Sequence, residues 1–210
     1  MKKFAGLLIV VASCLAQHAI AKETRVNFDD AKPGSAPKGW LATETGIGTA
    51  RWTVENDASA PSSPNVLKQS GEAEFPVCIY QKAKFSDGFV EVKFHPVAGR
   101  EDQAAGIIFR AKDKDDYYAA RANALEDNLV LFHVLHGHRE EVKGVDMKVS
   151  AHTWHKLRAE FHGTHIIVCF DGKPVVETDD DSIKGFGKIG LWTKSDSVTL
   201  FDDFCFGESK

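Results

Sequence analysis

Between Gly106 and His138 the chain reads GIIFRAKDKDDYYAARANALEDNLVLFHVLHGH, three short runs of alternating apolar and polar residues separated by segments rich in Asp, Asn and Gly. A period of two belongs to a strand with one buried face, and the separating residues are those that tolerate turns. The stretch therefore predicts three antiparallel strands. At that period Ile108 and Arg110 share a face, as do Ala119, Arg121 and Asn123, while Ile107 with Phe109, and Tyr118 with Ala120 and Ala122, take the other. A half-buried antiparallel sheet turns its apolar side to the core. Arginine and asparagine then stand on the outer side, the candidate working face.

The same signals recur along the chain. Strands are expected at residues 26–30, 52–54, 66–69, 75–81, 89–94, 154–161, 166–170, 175–177, 187–193 and 198–206. Asp171-Gly172 lies between two of them, and such a pair favours a tight hairpin because both central residues need positive φ. No amphipathic helix is expected after Ala21. Many short strands with turn signals between them predict an all-β fold, a two-sheet antiparallel β-sandwich in the form of a curved jelly roll, since each sheet must bury one face against a partner. A propeller would need a repeat of fixed period, which the chain lacks. Its 210 residues, 43% hydrophobic and 27% charged, suit a single domain.

Residues 1–21, MKKFAGLLIVVASCLAQHAIA, carry two lysines, an apolar run and the small-x-small end Ala19-Ile20-Ala21. This is the pattern of an export signal, leaving residues 22–210 as one domain in a periplasmic or secreted protein. The apolar run falls short of the ~20 residues that cross a bilayer, so no membrane span is expected. Val11-Ala12-Ser13-Cys14 also resembles a lipobox, with Cys14 as the lipidated residue, but it comes early and a normal signal tail follows it. Loss of Lys2 and Lys3 takes the formal net charge from −4 to −6, which argues against nucleic acid or anionic lipid as partner. Cys78, Cys169 and Cys205 remain, an odd number that allows one disulfide or three buried thiols. No Cys-x-x-Cys spacing suggests zinc.

The runs Asp116-Tyr117-Tyr118, Arg121-Ala122-Asn123-Ala124-Leu125-Glu126, Trp154-His155-x-Leu157-Arg158, Phe170-Asp171-Gly172-Lys173, Gly187-Lys188-x-Gly190-Leu191-Trp192-Thr193-Lys194 and Phe201-Asp202-Asp203-Phe204 resemble those of the 3-keto-disaccharide hydrolase group (DUF1080), within the concanavalin A-like lectin/glucanase superfamily. The resemblance spans residues 28–206 and implies a jelly roll whose concave sheet holds a saccharide. Sugar C–H faces pack on aromatic rings, and hydroxyls seek polar side chains. With Trp192 opposite Leu191 in parity, Trp192 and Lys194 join Arg110, Arg121, Asn123 and His133 on one face, with Tyr117 and Glu126 at its rim.

Glycoside hydrolysis usually needs two carboxylates at a set separation, and the strand at 89–94 offers only Glu91. A 3-keto sugar relaxes that need, because its ketone acidifies the neighbouring C–H and one base can start an elimination. In that scheme His133 or Glu126 is the base, Arg110 and Arg121 stabilise the oxyanion, and Trp192 packs on the ring. Asp29 and Asp30 could meet Asp202 and Asp203 where terminal strands pair, an oxygen set suited to a structural Ca²⁺. His136 and His138 share a parity but fall where a hairpin turn belongs. Three functions stay open: an enzyme acting on 3-keto glycosides, a non-catalytic carbohydrate-binding module, and an envelope interaction or scaffold domain. The oligomeric state is open as well.

Overall fold

The computed structural model describes residues 20–209, and every regular element within them is a strand. In chain order these are β1 (Ile20–Val26), β2 (Trp40–Thr49), β3 (Trp52–Asn56), β4 (Asn65–Gln69), β5 (Glu72–Phe85), β6 (Gly88–Ala98), β7 (Ala104–Ala111), β8 (Tyr117–Asn123), β9 (Asn128–Leu135), β10 (His138–Asp146), β11 (His155–His162), β12 (His165–Phe170), β13 (Lys173–Asp179), β14 (Gly187–Trp192) and β15 (Val198–Ser209). They form two antiparallel sheets. One is ordered β13-β12-β11-β6-β15-β4-β3, with β1 paired to β15; the other is ordered β10-β9-β8-β7-β14-β5-β2. The expected β-sandwich is the observed fold. Residues 1–19, with the bulk of the expected signal and Cys14, lie outside the described residues. Among the described residues no helix is long and apolar enough to cross a membrane.

Period-two alternation sets which side chains enter the space between the sheets. Ile107 and Phe109 of β7, Tyr118, Ala120 and Ala122 of β8, and Leu129 and Leu131 of β9 face Val90, Val92 and Phe94 of β6 and Leu157, Ala159 and Phe161 of β11. Phe109 stacks on Phe161 with ring centres 4.7 Å apart, and Trp40 meets Phe204 edge-on at 4.9 Å. Cys78, Cys169 and Cys205 are free and buried, so the three-thiol alternative describes the fold. Asp171-Gly172 turns with φ of 47° and 80°, and His136-Gly137 does the same between β9 and β10 with 52° and 79°. Positive φ at both central residues matches the twist of the flanking strands.

Three strands differ from expectation: β2, Trp40–Thr49, lies where no strand is expected, and with only Trp40 and Thr45 buried it displays no alternation. The strand expected at 26–30 is shifted toward the N-terminus: β1 ends at Val26, and Phe28 with φ of 66° turns the chain into a loop. The polar strand β10 was not anticipated, because it lies at the edge of its sheet and buries none of its residues. Without a buried face there is no alternation to read.

The seven-stranded sheet is rolled toward its outer side. β10 and β5 are five places apart in its order, which on a flat sheet would separate them by about 24 Å at about 4.8 Å per strand. Yet the guanidinium carbon of Arg139 on β10 stands 4.9 Å from the ring centre of Phe75 on β5. The edges also meet further along. A β-carbon added to Gly137 would lie 3.8 Å from Thr45 Cγ2 on β2. The outer face is therefore a concavity closed at one end.

Candidate functional site

Inside this concavity the outward positions of β8 and its neighbours converge. Gly106 pairs with Arg121 on one side and with Trp192 on the other, which brings Arg121 and Trp192 to one face, with Asn123 two residues beyond Arg121. Phe75, Val77, Ile79, Ile108, Tyr117, Ala119, Val134 and Trp192 form a second apolar cluster under that face. Trp192 is fully buried, stacks on Phe75 at 5.4 Å, and donates its Nε1–H to Tyr117 Oη at 3.1 Å. Tyr117 in turn lies 2.9 Å from Thr45 Oγ1. Burial, only partly offset by the hydrogen bonds from Thr45 and Trp192, pushes the phenol up to about 12, so it stays protonated. Tyr117 and Trp192 are on the expected face, but as its floor and not as exposed ring platforms.

Above the floor lies a charged network. Arg121 Nη1 is 2.7 Å from Glu126 Oε2, in the turn between β8 and β9. Lys194 Nζ stands 3.0 Å from Asp102 Oδ2 and 3.5 Å from Glu126 Oε1, and Asn123 Nδ2 donates to Asp102 Oδ1 at 2.7 Å. Arg139 lies across Phe132 and Phe75, at 4.5 and 4.9 Å. Burial, followed by the charge of Arg121, lowers the Arg139 guanidinium from its ordinary value. Among the described residues, Arg121 Nε and Arg139 Nη1 are buried and meet no acceptor. Arg139, Phe132 and Asp102 are part of this site although nothing in the sequence singled them out.

Glu126 illustrates how the network sets charge. Burial alone would raise its carboxyl, but the hydrogen bond and charge of Arg121, with smaller help from Asn128 and Lys194, bring it down to about 2. A depressed folded-state value stabilises the fold above the ordinary carboxyl range and is lost as pH falls toward 2. Glu126→Gln should remove that segment of pH dependence. Melting curves of the two proteins are expected to converge as pH falls from 5 toward 2 by roughly the pair's share of stability. Parallel curves over that range would contradict the assignment.

Two residues expected on this face are elsewhere. His133 pairs with Tyr118 across β8 and takes the parity of Leu129 and Leu131, toward the other side of the sheet, where its Nε2 lies 3.4 Å from Glu140. Its position in β9 follows the core-facing leucines and not the polar residues of β8. Arg110 is at a β-bulge. Between Ile108 and Ala111 β7 advances one residue more than β14 does between Gly190 and Lys188, and Arg110 has φ of 50°. Its side chain is thereby redirected to the carbonyls of Ser86 at 2.9 Å, Gly163 at 2.6 Å and Ile183 at 3.3 Å, and to Asp87 at 3.2 Å. Arg110 thus ties three loops together on the core side.

The four aspartates serve different tasks. Asp203 is paired with Lys93 at 2.8 Å and Arg25 at 3.2 Å, Asp202 accepts from Ser62 N and Oγ at 2.8 Å, and Asp29 accepts from Asn65 N at 3.1 Å. The carbonyls of Phe28, Asp29 and Ala31 all turn to Asn65 Nδ2 at 3.1 Å. Asp30 is exposed on the loop beyond. As a shared calcium set these residues do not fit, because two cations already neutralise Asp203 and an amide nitrogen stands among the nearby carbonyls.

A rolled antiparallel sheet backed by a second sheet, with a polar network in its hollow, defines the class as a concanavalin A-like β-sandwich of the kind found in glucanases and carbohydrate-binding modules. Among solved structures, the chain is similar to the carbohydrate binding module CBM66 from Bacillus subtilis, at a TM-score of 0.65 and 19% identity over 81% of this chain and 96% of that one. It is similar also to a prokaryotic beta-1,3-1,4-glucanase (lichenase) from a mouse hindgut metagenome, at a TM-score of 0.58 and 12% identity over 90% and 98%. The Bacillus licheniformis beta-glucanase aligns at a TM-score of 0.58 and 10% identity over 90% and 98%. A search of curated proteins finds no match. The chain belongs to the family of the 3-keto-alpha-glucoside-1,2-lyase-like domain, whose profile matches residues 24–204.

Proposed function

We propose that the hollow of the seven-stranded sheet binds a saccharide, with Arg121, Arg139 and Lys194 donating to its oxygens, Glu126 accepting from its hydroxyls, and the buried Asp102 and Asn123 holding Lys194 in place from beneath. The observation that carries this reading is the pair of buried, unpartnered N–H groups, Arg121 Nε and Arg139 Nη1. A buried donor left without an acceptor costs about 1–3 kcal/mol, and an oxygen entering between the two arginines would relieve that cost. The carbohydrate binding module and glucanases of the same fold support the ligand class, and fold alone does not assign a reaction.

Binding is favoured over catalysis by the fate of the two expected bases. His133 faces away, and Glu126 at about 2 is a weak base at neutral pH, far from the match that general base catalysis asks for. The lyase reading draws its support from the family. In it a base takes the proton from C2 of the 3-keto ring, the electron pair forms the enolate, and as the C3 ketone re-forms with a C1–C2 double bond the C1–O bond breaks, the leaving oxygen taking the proton back from the base to depart as the free alcohol. The two arginines would then hold the enolate oxygen.

The test is incubation of the protein with 3-keto and unmodified disaccharides, reading cleavage by mass spectrometry and binding by calorimetry. Binding without cleavage is expected. Arg121→Ala should weaken it by about 1.5–3 kcal/mol, roughly 10- to 150-fold in Kd, and Arg139→Ala should act in the same direction. Cleavage confined to the keto sugars would instead establish the lyase. Affinity unchanged in both arginine variants would remove the hollow as the site.

A further inference from the structure

A second depression, of about 550 Å³, opens away from the hollow, between the loop of residues 27–39 and β5. That volume lies within the range of small-molecule sites, roughly 300–1,000 Å³. Its wall is aromatic. Trp40 touches Phe28 at 5.7 Å and Tyr80 at 5.0 Å between ring centres, and all three residues line the opening, with 9% of Trp40 and 8% of Tyr80 exposed there.

Its rim is basic. Arg25, Lys32, Lys38 and Lys82 line it against a single acid, Asp30. Arg25 is occupied by Asp203 and Glu23. Among the described residues, Lys32, Lys38 and Lys82 have neither an ion-pair nor a hydrogen-bond partner. Some lysines elsewhere take acids, as Lys93 takes Asp203 and Lys148 takes Asp127, and others take carbonyls, as Lys112 and Lys143 do; what sets these three apart is that they surround one opening. Three unpaired ammonium groups around one opening, in a chain of net charge −4, are a local excess that an anion would relieve.

Lys82 is also held in place. A β-carbon on Gly39 would lie 2.6 Å from Lys82 Cε and 3.3 Å from its Nζ, so the lysine stem crosses directly over the glycine. Gly39 has φ of 89°, a conformation that side-chain-bearing residues rarely adopt, and its carbonyl accepts from Gln81 N at 2.9 Å. The backbone thus leaves a gap through which the ammonium group is carried to the opening.

We propose that this depression is a second ligand site, independent of the saccharide hollow. It takes a compact anion, a sugar-sized ring bearing a phosphate or a carboxylate, with the charge among Lys32, Lys38 and Lys82 and the ring against the accessible edges of Tyr80 and Trp40.

Calorimetric titration of the protein with glucose 6-phosphate, glucuronate, glucose and inorganic phosphate tests this. At least one anionic sugar should bind at least about tenfold more tightly than glucose and than inorganic phosphate, with affinity falling as salt rises. The tighter of the two identifies the anion. Lys38→Ala/Lys82→Ala, at exposed positions that leave the fold intact, should reduce that affinity by about tenfold or more, whereas Arg121→Ala should leave it unchanged. Binding of both glucose 6-phosphate and glucuronate no tighter than that of glucose, or undiminished affinity in the double lysine variant, would overturn the site. Loss of affinity in Arg121→Ala, with none in the lysine variant, would move the anion to the hollow.

Discussion

Arg110→Ala is expected to destabilise the fold by about 3–5 kcal/mol, the range seen when one partner of a buried ion pair is removed. For a domain of this size that is a fall in Tm on the order of 6–20 °C. The guanidinium is 2% exposed and supplies donors to three carbonyls and to Asp87. Its removal leaves the carbonyls of Ser86, Ile183 and Gly163 each short of a donor in partly or fully buried surroundings, and empties the space over Phe161, where the guanidinium carbon stands 5.4 Å from the ring centre. Lysine cannot replace it, because a single ammonium on a thin stem does not reproduce a planar fork reaching several acceptors, so Arg110→Lys should recover less than half of the loss. Thermal melts of the three proteins measure this. Saccharide affinity, measured where the variants are still folded, should stay within about twofold of the parent, since a residue that does not touch the ligand contributes little to its binding. A loss as large as that of Arg121→Ala would put Arg110 back in the hollow.

The contrast between Arg110 and Arg121 shows how far a sequence can be read. Both occupy outward positions by strict alternation, and in β8, where the ladder is regular, the reading holds: Arg121 and Asn123 share their face with Trp192 across β7. In β7 one extra residue shifts the register, and a bulge has no signature in the alternation itself. His133 failed for a different reason. A polar residue in an apolar run invites an outward assignment, but Leu129 and Leu131 had already set the parity of β9. Arg139 was hidden because an edge strand exposed on both faces has no period to display, and because its partner Phe75 is 64 residues away in the chain (139 − 75). The roll of the sheet, which joins them, is a property of the closed architecture and of cumulative strand twist. No local pattern encodes it.

Trp192 is where aromatic ring and working face coincide, and its replacement separates a floor from a platform. Trp192→Ala is expected to cost about 3–5 kcal/mol, because the indole is wholly buried, stacks on Phe75 and fills the space that Gly106 leaves open, where an added β-carbon would come within 3.2 Å of its Cε3. Trp192→Phe keeps a ring over Phe75 and removes only the N–H to Tyr117, whose hydroxyl retains Thr45 at 2.9 Å; that should cost about 1 kcal/mol. Saccharide affinity is expected to follow stability across the series. The phenylalanine variant should bind nearly as the parent does, because a ligand does not touch the indole. The alanine variant should bind poorly, since Phe75 loses its support and Arg139, which lies over Phe75, loses its seat. A phenylalanine variant that melts normally yet binds no sugar would mean that the ligand reaches the indole, through an opening of the hollow that displaces Arg139 from Phe75.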